Sequence, residues 1–126
     1  MKIIGIIPAR YASTRFPGKP LIQIAGKSMI QRTWEQACKA KLLSEVIIAT
    51  DDERIKTEAE NFGATVAMTS ANHHSGTDRC AEVVSKLNEA DAVINIQGDE
   101  PFIHPDQIDV LASTFINNNL TEIVTL

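Results

Sequence analysis

No acidic residue occurs among the first 34 positions of this chain; the first is Glu35. Lys2, Arg10, Arg15, Lys19, Lys27 and Arg32 all precede it. The rest of the chain carries all 16 acidic residues, and the whole has a net charge of −4. That balance argues against nucleic acid as the main partner, which calls for a basic face on a basic domain. It fits a local cationic pocket in an acidic protein. Long apolar runs are missing too: no stretch approaches the ~20 residues that span a bilayer. Lys2 is followed by five residues before Pro8, with no small-residue cleavage site beyond, so a signal-peptide layout is lacking. These absences point to the cytoplasm, with no membrane partner.

Cysteine is scarce. Cys38 and Cys80 are far apart and neither belongs to a CxxC pair. Both fall on the apolar stripes of predicted helices, so reduced core thiols are expected, with neither disulfide nor zinc. There is no GxGxxG and no GxxxxGK[ST], which excludes a dinucleotide fingerprint and a Walker loop. Nothing resembles a Ser–His–Asp or Cys–His arrangement with local support. Internal repeats, low-complexity tracts and linkers are also lacking. At 126 residues the chain is one domain with room for a core. Its 44% apolar and 22% charged residues are ordinary for a globular protein.

What is present alternates strand and helix. Residues 2–7 read as a buried strand, and residues 8–26 as a long basic loop with a short extended piece at 21–24 before the turn at Ala25-Gly26-Lys27. Ser28 caps a helix expected to run to about Lys41, with Ile30, Trp34, Ala37, Cys38 and Leu42 at helical spacing. A strand follows at 45–50. Thr50-Asp51-Asp52-Glu53 has the layout of a capping box, and Asp51-Asp52 reads as a cap. The helix it opens stops at Gly63, a left-handed C′ residue. A short strand at 64–68, a polar loop at 69–76 and a helix from about 78 to 88 come next. A strand at 91–96, a helix starting at Pro105 and a strand beginning at Glu122 complete the pattern. Strands separated by single helices imply a parallel sheet covered on both faces. The fold class is α/β, a Rossmann-like, doubly wound, mainly parallel sheet. The chain breaks off inside a strand, which is expected of the N-terminal portion of something longer.

In such a fold the ligand lies outside the carboxyl ends of the strands. Three segments emerge there. The first, Pro8 to Leu21, carries Arg10, Arg15 and Lys19 with the hydroxyls of Ser13 and Thr14. Arg supplies a planar bidentate fork and Lys a compact charge, which suits a polyphosphate. At that length the loop exceeds the usual ~2–6 residues of an α/β connection. The second, Ser75-Gly76-Thr77-Asp78-Arg79, opens a helix that Thr77 or Asp78 can cap. Arg79 stands in the first turn against the helix dipole, a local cost that points to an external partner. The third is Gln97-Gly98-Asp99-Glu100-Pro101. Asp99 can hold Mg²⁺, which takes one or two carboxylates plus substrate phosphates; turn chemistry is the plainer alternative. His73-His74 read as a polar surface loop and His104 as the residue before a proline-started helix. The whole suits positioning and charge neutralisation, the chief needs of transfer at phosphorus.

Ile7-Pro8-Ala9-Arg10 followed by Ser13-Thr14-Arg15-Phe16-Pro17-Gly18-Lys19-Pro20-Leu21 resembles the opening of the 3-deoxy-manno-octulosonate (Kdo) cytidylyltransferases, or CMP-Kdo synthetases. Ser75 to Arg79 with Ala81-Glu82-Val83, Asn95 to Pro101, and Thr50-Asp51-Asp52 agree in order. Sialic-acid cytidylyltransferases have a similar basic loop without the STRxPGKPL form. The resemblance covers essentially the whole chain. It implies a nucleotide-diphospho-sugar transferase fold, of which residues 1–126 are the N-terminal, CTP-binding part. It implies the reaction CTP + Kdo → CMP-Kdo + pyrophosphate with Mg²⁺, in the bacterial cytoplasm, for lipopolysaccharide biosynthesis. By the same resemblance Arg10 and Lys19 hold the triphosphate, with Ser13 and Arg15 assisting. The Ala9 backbone and Gly76, Thr77, Asp78 and Arg79 line the cytidine pocket. Asp99 binds Mg²⁺, and Gln97 lies near the sugar acid. Arg10, Lys19 and Asp99 are thereby the catalytic set. Members are usually homodimers of about twice this length. The missing half would carry a second metal-binding aspartate, most of the Kdo pocket and much of the dimer interface, so catalysis is assigned to the longer protein. The alternatives are a nucleotidyltransferase for another sugar acid and a non-catalytic CTP-binding fragment.

Overall fold

The computed structural model describes residues 2–12, 17–70, 76–86, 90–98, 100–118 and 123–125. The elements in order are β1 (Ile3–Ala9), β2 (Gln23–Ile24), β3 (Lys27–Ser28), α1 (Met29–Cys38), β4 (Glu45–Thr50), α2 (Glu53–Asn61), β5 (Thr65–Met68), α3 (Gly76–Ser85), β6 (Ala92–Asn95), α4 (Pro105–Asn118) and β7 (Ile123–Thr125). A short 3₁₀ turn at Lys19–Leu21 interrupts the basic loop. Five strands form one sheet in the order β5-β4-β1-β6-β7, and every pair in it is parallel. The chain winds outward from β1 to β5, then returns to the other side of β1 for β6 and β7. Strand order therefore reverses between β1 and β6.

Both faces of the sheet are covered, as the near-continuous apolar strands require. Ile3, Ile7, Ile48 and Ile94 pack with Ile30 and Ala37 of α1, Ile55 and Ala59 of α2, and Ile108 and Ala112 of α4. Ile4, Ile6, Ile47 and Val93 take the opposite face with Cys80 and Val83 of α3. Alternation along β1 thus divides its side chains between two helical layers. Gly5 of β1 makes room for its neighbours, since a Cβ there would stand 2.9 Å from Leu43 Cδ1 and 3.1 Å from Ile96 Cδ1. Trp34 meets Phe62 with ring centroids 5.1 Å apart, which joins α1 to α2. Each fully buried isoleucine contributes about 1.5–3 kcal/mol. Exposed pairs such as Lys27–Glu35 at 3.0 Å contribute ~1 kcal/mol or less, so strand burial dominates. Among the described residues no helix is long and apolar enough to cross a membrane.

Several local expectations are corrected. β1 runs through Pro8 and Ala9, paired with Ala49 and Thr50, instead of ending at Ile7. Ile6 faces β6, because its carbonyl accepts from Ile96 N–H at 2.9 Å. In a parallel ladder Pro8 faces the same side, where the β6 pairing has already ended, so its missing N–H costs no ladder bond. α1 stops at Cys38 rather than near Lys41. The Lys41 and Leu42 N–H groups donate to the Asp109 carboxylate at 3.1 and 2.8 Å, which diverts them from the helix. Leu42 is consequently off the stripe and exposed. The N-cap of α2 is Asp52, whose Oδ1 accepts from Arg54 and Ile55 N–H; Thr50 stays in β4 and accepts from Asp52 N–H. α3 begins at Gly76, so Thr77 and Asp78 lie inside its first turn rather than at the position before it.

Other expectations hold. Ser28 caps α1 by accepting from Gln31 N–H at 3.3 Å. The turn expected at Ala25-Gly26 is present, both residues with positive φ as a type I′ turn demands, but it closes a β2–β3 hairpin that was not expected, and the extended piece before it is only Gln23–Ile24 because Leu21 belongs to the 3₁₀ turn. Gly63 ends α2 with φ of 92°. His73, His74, Ser75, Leu87 and Asn88 lie outside the described residues.

The two thiols differ. Cys80 is buried, and burial pushes its pKa up to about 12. Cys38, expected in the core, is exposed where α1 ends. Maleimide labelling of the native chain should therefore modify Cys38 promptly and Cys80 after denaturation. Equal native rates, read by peptide mass spectrometry, would contradict this placement.

Candidate functional site

Strand order reverses between β1 and β6, and the carboxyl ends at such a reversal are the usual ligand position in sheets of this kind. The basic loop leaves β1 there, and Ile96 to Ile103 leaves β6. Their backbones touch. A Cβ on Gly98 would stand 2.9 Å from the Pro8 carbonyl oxygen, so Gly98 is required for this approach. The buried Thr33 hydroxyl of α1 holds the far side, 3.1 Å from the Gly98 carbonyl and 3.1 Å from its own helix's Met29 carbonyl. Gln36 donates to the Ile103 carbonyl at 2.9 Å. The segment bearing Gln97 and Glu100 is thus fastened to α1 at both ends. Gln97 is half-buried and Glu100 exposed.

Opposite lies the basic loop. Ala9 is buried as the last residue of β1, and Arg10 next to it is exposed. The Tyr11 carbonyl accepts from the Gly18 N–H at 2.8 Å, which brings the chain back beside its starting point. Gly18 adopts φ of 75° and precedes the 3₁₀ turn that starts at Lys19. That turn is closed by Leu21 N–H on the Gly18 carbonyl at 2.9 Å and Ile22 N–H on the Lys19 carbonyl at 3.1 Å. Arg10 and Lys19 therefore stand on either side of one closed neck. Ser13 and Arg15 lie outside the described residues, as does Asp99.

The third segment is organised from within. Arg79 is buried, with a residue exposure of 3%. One of its terminal nitrogens donates to the Thr69 hydroxyl and to the Ser70 carbonyl at 3.2 Å, and lies 3.6 Å from Asp51 Oδ1. Asp51 follows β4, Thr69 and Ser70 follow β5, and Arg79 is in the first turn of α3. One guanidinium thus ties three chain segments together at the carboxyl edge of the sheet. The partner that offsets its position against the helix dipole is internal to the chain, where an external one was expected. Asp51 serves as this counter-charge, and Asp52 alone is the cap. The Arg54 guanidinium beside Asp52, with the N–H groups of α2, holds the Asp52 carboxyl below its ordinary range. His104 is exposed, and its Nδ1 accepts from Asp106 N–H at 3.3 Å at the start of α4.

Thr33, Asp51 and Tyr11 are contributors that sequence reasoning did not assign. Thr33 stands three residues after Ile30 on the helix stripe, and no local pattern links it to Gly98. Among the described residues no cluster of three or more His, Cys, Asp or Glu could hold a metal. Mg²⁺ needs fewer protein carboxylates when phosphates complete its shell. Asp99, which follows the anchored Gly98 in the sequence, has the carboxylate that such donor chemistry uses.

A family profile described as Cytidylyltransferase matches residues 4–126. The 3-deoxy-manno-octulosonate cytidylyltransferase of Parabacteroides distasonis is 57% identical over 127 residues, covering 100% of this chain and 49% of the relative. The mitochondrial 3-deoxy-manno-octulosonate cytidylyltransferase of Arabidopsis thaliana is 57% identical over 109 residues, covering 86% of this chain and 38% of its own length. A solved structure of CMP:2-keto-3-deoxy-manno-octonic acid synthetase complexed with CTP superposes with a TM-score of 0.90 at 46% identity. It covers 94% of this chain and 48% of that one. A cytidylyltransferase structure from Leptospira borgpetersenii gives a TM-score of 0.80 at 27% identity, with 94% and 50% covered. The chain spans about half the length of the curated relatives it matches.

The contact between Gly98 and Pro8 makes a direct prediction. Gly98→Ala should destabilise the chain by about 1–3 kcal/mol, because the obstructing atom is backbone and cannot rotate away. Thr33→Val should cost about 1 kcal/mol through the lost hydrogen bond to the same residue. Urea midpoints check both, and an unchanged midpoint for Gly98→Ala would refute the close approach.

Proposed function

The chain belongs to the cytidylyltransferase family, and from that membership we propose that it is the CTP-binding part of an enzyme that activates Kdo. The reaction is CTP + Kdo → CMP-Kdo + pyrophosphate. The Kdo anomeric hydroxyl attacks the α-phosphorus of CTP. Its oxygen forms the new bond to phosphorus and releases its proton to solvent, the bond from the α-phosphorus to the α–β bridging oxygen breaks, and pyrophosphate leaves in line with that oxygen. The setting is the bacterial cytoplasm and the pathway lipopolysaccharide assembly, with the longer protein acting as a homodimer.

The observation that carries this reading is the convergence at the carboxyl ends of β1 and β6. The loop with Arg10 and Lys19 at its neck leaves β1 beside the turn that Gly98 seats against the Pro8 carbonyl. In this reading Arg10 and Lys19 bind the triphosphate, assisted by Ser13 and Arg15. Their charge offsets the negative charge that builds on the departing pyrophosphate. The Ala9 backbone and the segment Gly76, Thr77 and Asp78 line the cytidine pocket. Arg79 shapes that wall through Asp51 and Thr69. Gln97 lies near the sugar acid. Asp99 holds Mg²⁺, which when bound neutralises phosphate charge and orients the chain of phosphates. The sugar pocket itself belongs to the longer protein. A second reading, CTP binding without transfer, applies to the 126-residue chain alone and is favoured by its half-length coverage of the relatives.

Pyrophosphate release from CTP and Mg²⁺, with and without Kdo, tests the proposal on this chain and on any longer product of its gene. Kdo-dependent release from the longer product is expected; its absence would sink the assignment. Retained CTP affinity without release by the short chain favours the second reading for that chain. Lys19→Ala should weaken CTP binding about ten- to a hundredfold, the scale of one lost charge-assisted hydrogen bond. Asp99→Ala should abolish the magnesium response of CTP binding. Unchanged titrations would remove those roles.

A further inference from the structure

The neck of the basic loop is gripped by a side chain from α2. The Tyr11 carbonyl accepts from the Gly18 N–H at 2.8 Å, which joins the two sides of the neck. The Tyr11 ring rests against the Gly18 backbone, where a Cβ would stand 2.9 Å from ring atom Cε2. Over that ring lies Arg54, its guanidinium carbon 3.3 Å from the centroid, well inside cation–π range. The guanidinium is itself held. One terminal nitrogen donates to Asp52 Oδ2 at 2.8 Å, and Nε donates to Oδ1 at 3.2 Å. Asp52 is fixed in turn as the N-cap of α2. A continuous series of contacts therefore runs from the start of α2 through Arg54 and Tyr11 to Gly18, next to Lys19.

We propose that Arg54 is a positioning residue for triphosphate binding: it clamps Tyr11 and so fixes the neck that sets the spacing of Arg10 and Lys19. This rests on reading the loop as the triphosphate holder. Arg54 touches no substrate in this scheme. A planar guanidinium can stack on an aromatic ring while its fork pairs with a carboxylate, a combination that lysine supplies less well.

The test uses the 126-residue chain, with amide hydrogen exchange by NMR and CTP titration by calorimetry. Arg54→Ala should speed exchange at Gly18 about two- to fivefold and weaken CTP binding by a similar factor. Arg54→Lys should recover part of both. Exchange at Ile55, whose N–H is held by Asp52, should stay at the wild-type rate, which separates a loosened neck from a frayed α2. Lys19→Ala serves as the reference. Wild-type Gly18 exchange and CTP affinity in Arg54→Ala, alongside weakened binding in Lys19→Ala, overturns the clamp and leaves the triphosphate reading standing. Faster Gly18 exchange with unchanged CTP affinity overturns the positioning role. Unchanged affinity in Lys19→Ala, or no CTP binding by the unsubstituted chain, overturns the triphosphate reading and the proposal with it.

Discussion

The Pro8 carbonyl and the α-carbon of Gly98 meet where the strand order reverses, and the rest of the site is arranged around that contact. Two features of the chain permit it. Pro8 stays in β1 because the neighbouring ladder has ended on its N–H side. Gly98 presents no side chain toward it. Thr33 and Gln36 then hold the outgoing segment from α1. A parallel sheet leaves its carboxyl ends open to solvent and ligand. Here one backbone contact determines how closely the acidic turn approaches the basic loop.

The third wall is built on a different principle. Arg79 places a buried charge against a helix dipole, an arrangement that would be unfavourable by itself. Asp51, Thr69 and Ser70 compensate it with a counter-charge and hydrogen-bond acceptors. They come from two different strand ends, so the ion pair also sets where β4, β5 and α3 stand relative to one another. The buried Arg79 thus shapes the frame, whereas Arg10 at the start of the basic loop is exposed.

Apolar runs and helical stripes made the alternation of strands and helices legible, along with the caps at Ser28 and Gly63. These are local signals, fixed by spacing and by backbone conformation. The misread details depend on distant partners. Proline at position 8 looks like a strand end until its neighbours are known. Thr50 and Asp52 both have capping chemistry, and the extra pairing of β1 keeps Thr50 in the sheet. Cys38 fits a helical stripe that continues on paper, but Asp109, some seventy residues later, draws the next N–H groups away. In the site, the three motif segments were readable from residue types alone. Thr33, Asp51 and the contact of Arg54 with Tyr11 were not, since each acts across elements that sequence spacing does not relate. Ser13, Arg15 and Asp99 rest on motif resemblance.

The central position of β1 also has a consequence for the nascent chain. Its apolar run, Ile3 to Ile7, emerges from the ribosome before either of its neighbours in the sheet. One flank can be covered once β4 at Glu45–Thr50 has appeared. The other must wait for β6 at Ala92–Asn95. At about 5–20 residues per second that interval lasts roughly 2–9 seconds. For that time an isoleucine-rich strand stands as an open sheet edge, the kind of surface on which chains pair with one another. The strand that organises the finished domain is thus also the one most in need of shelter while the domain is being made.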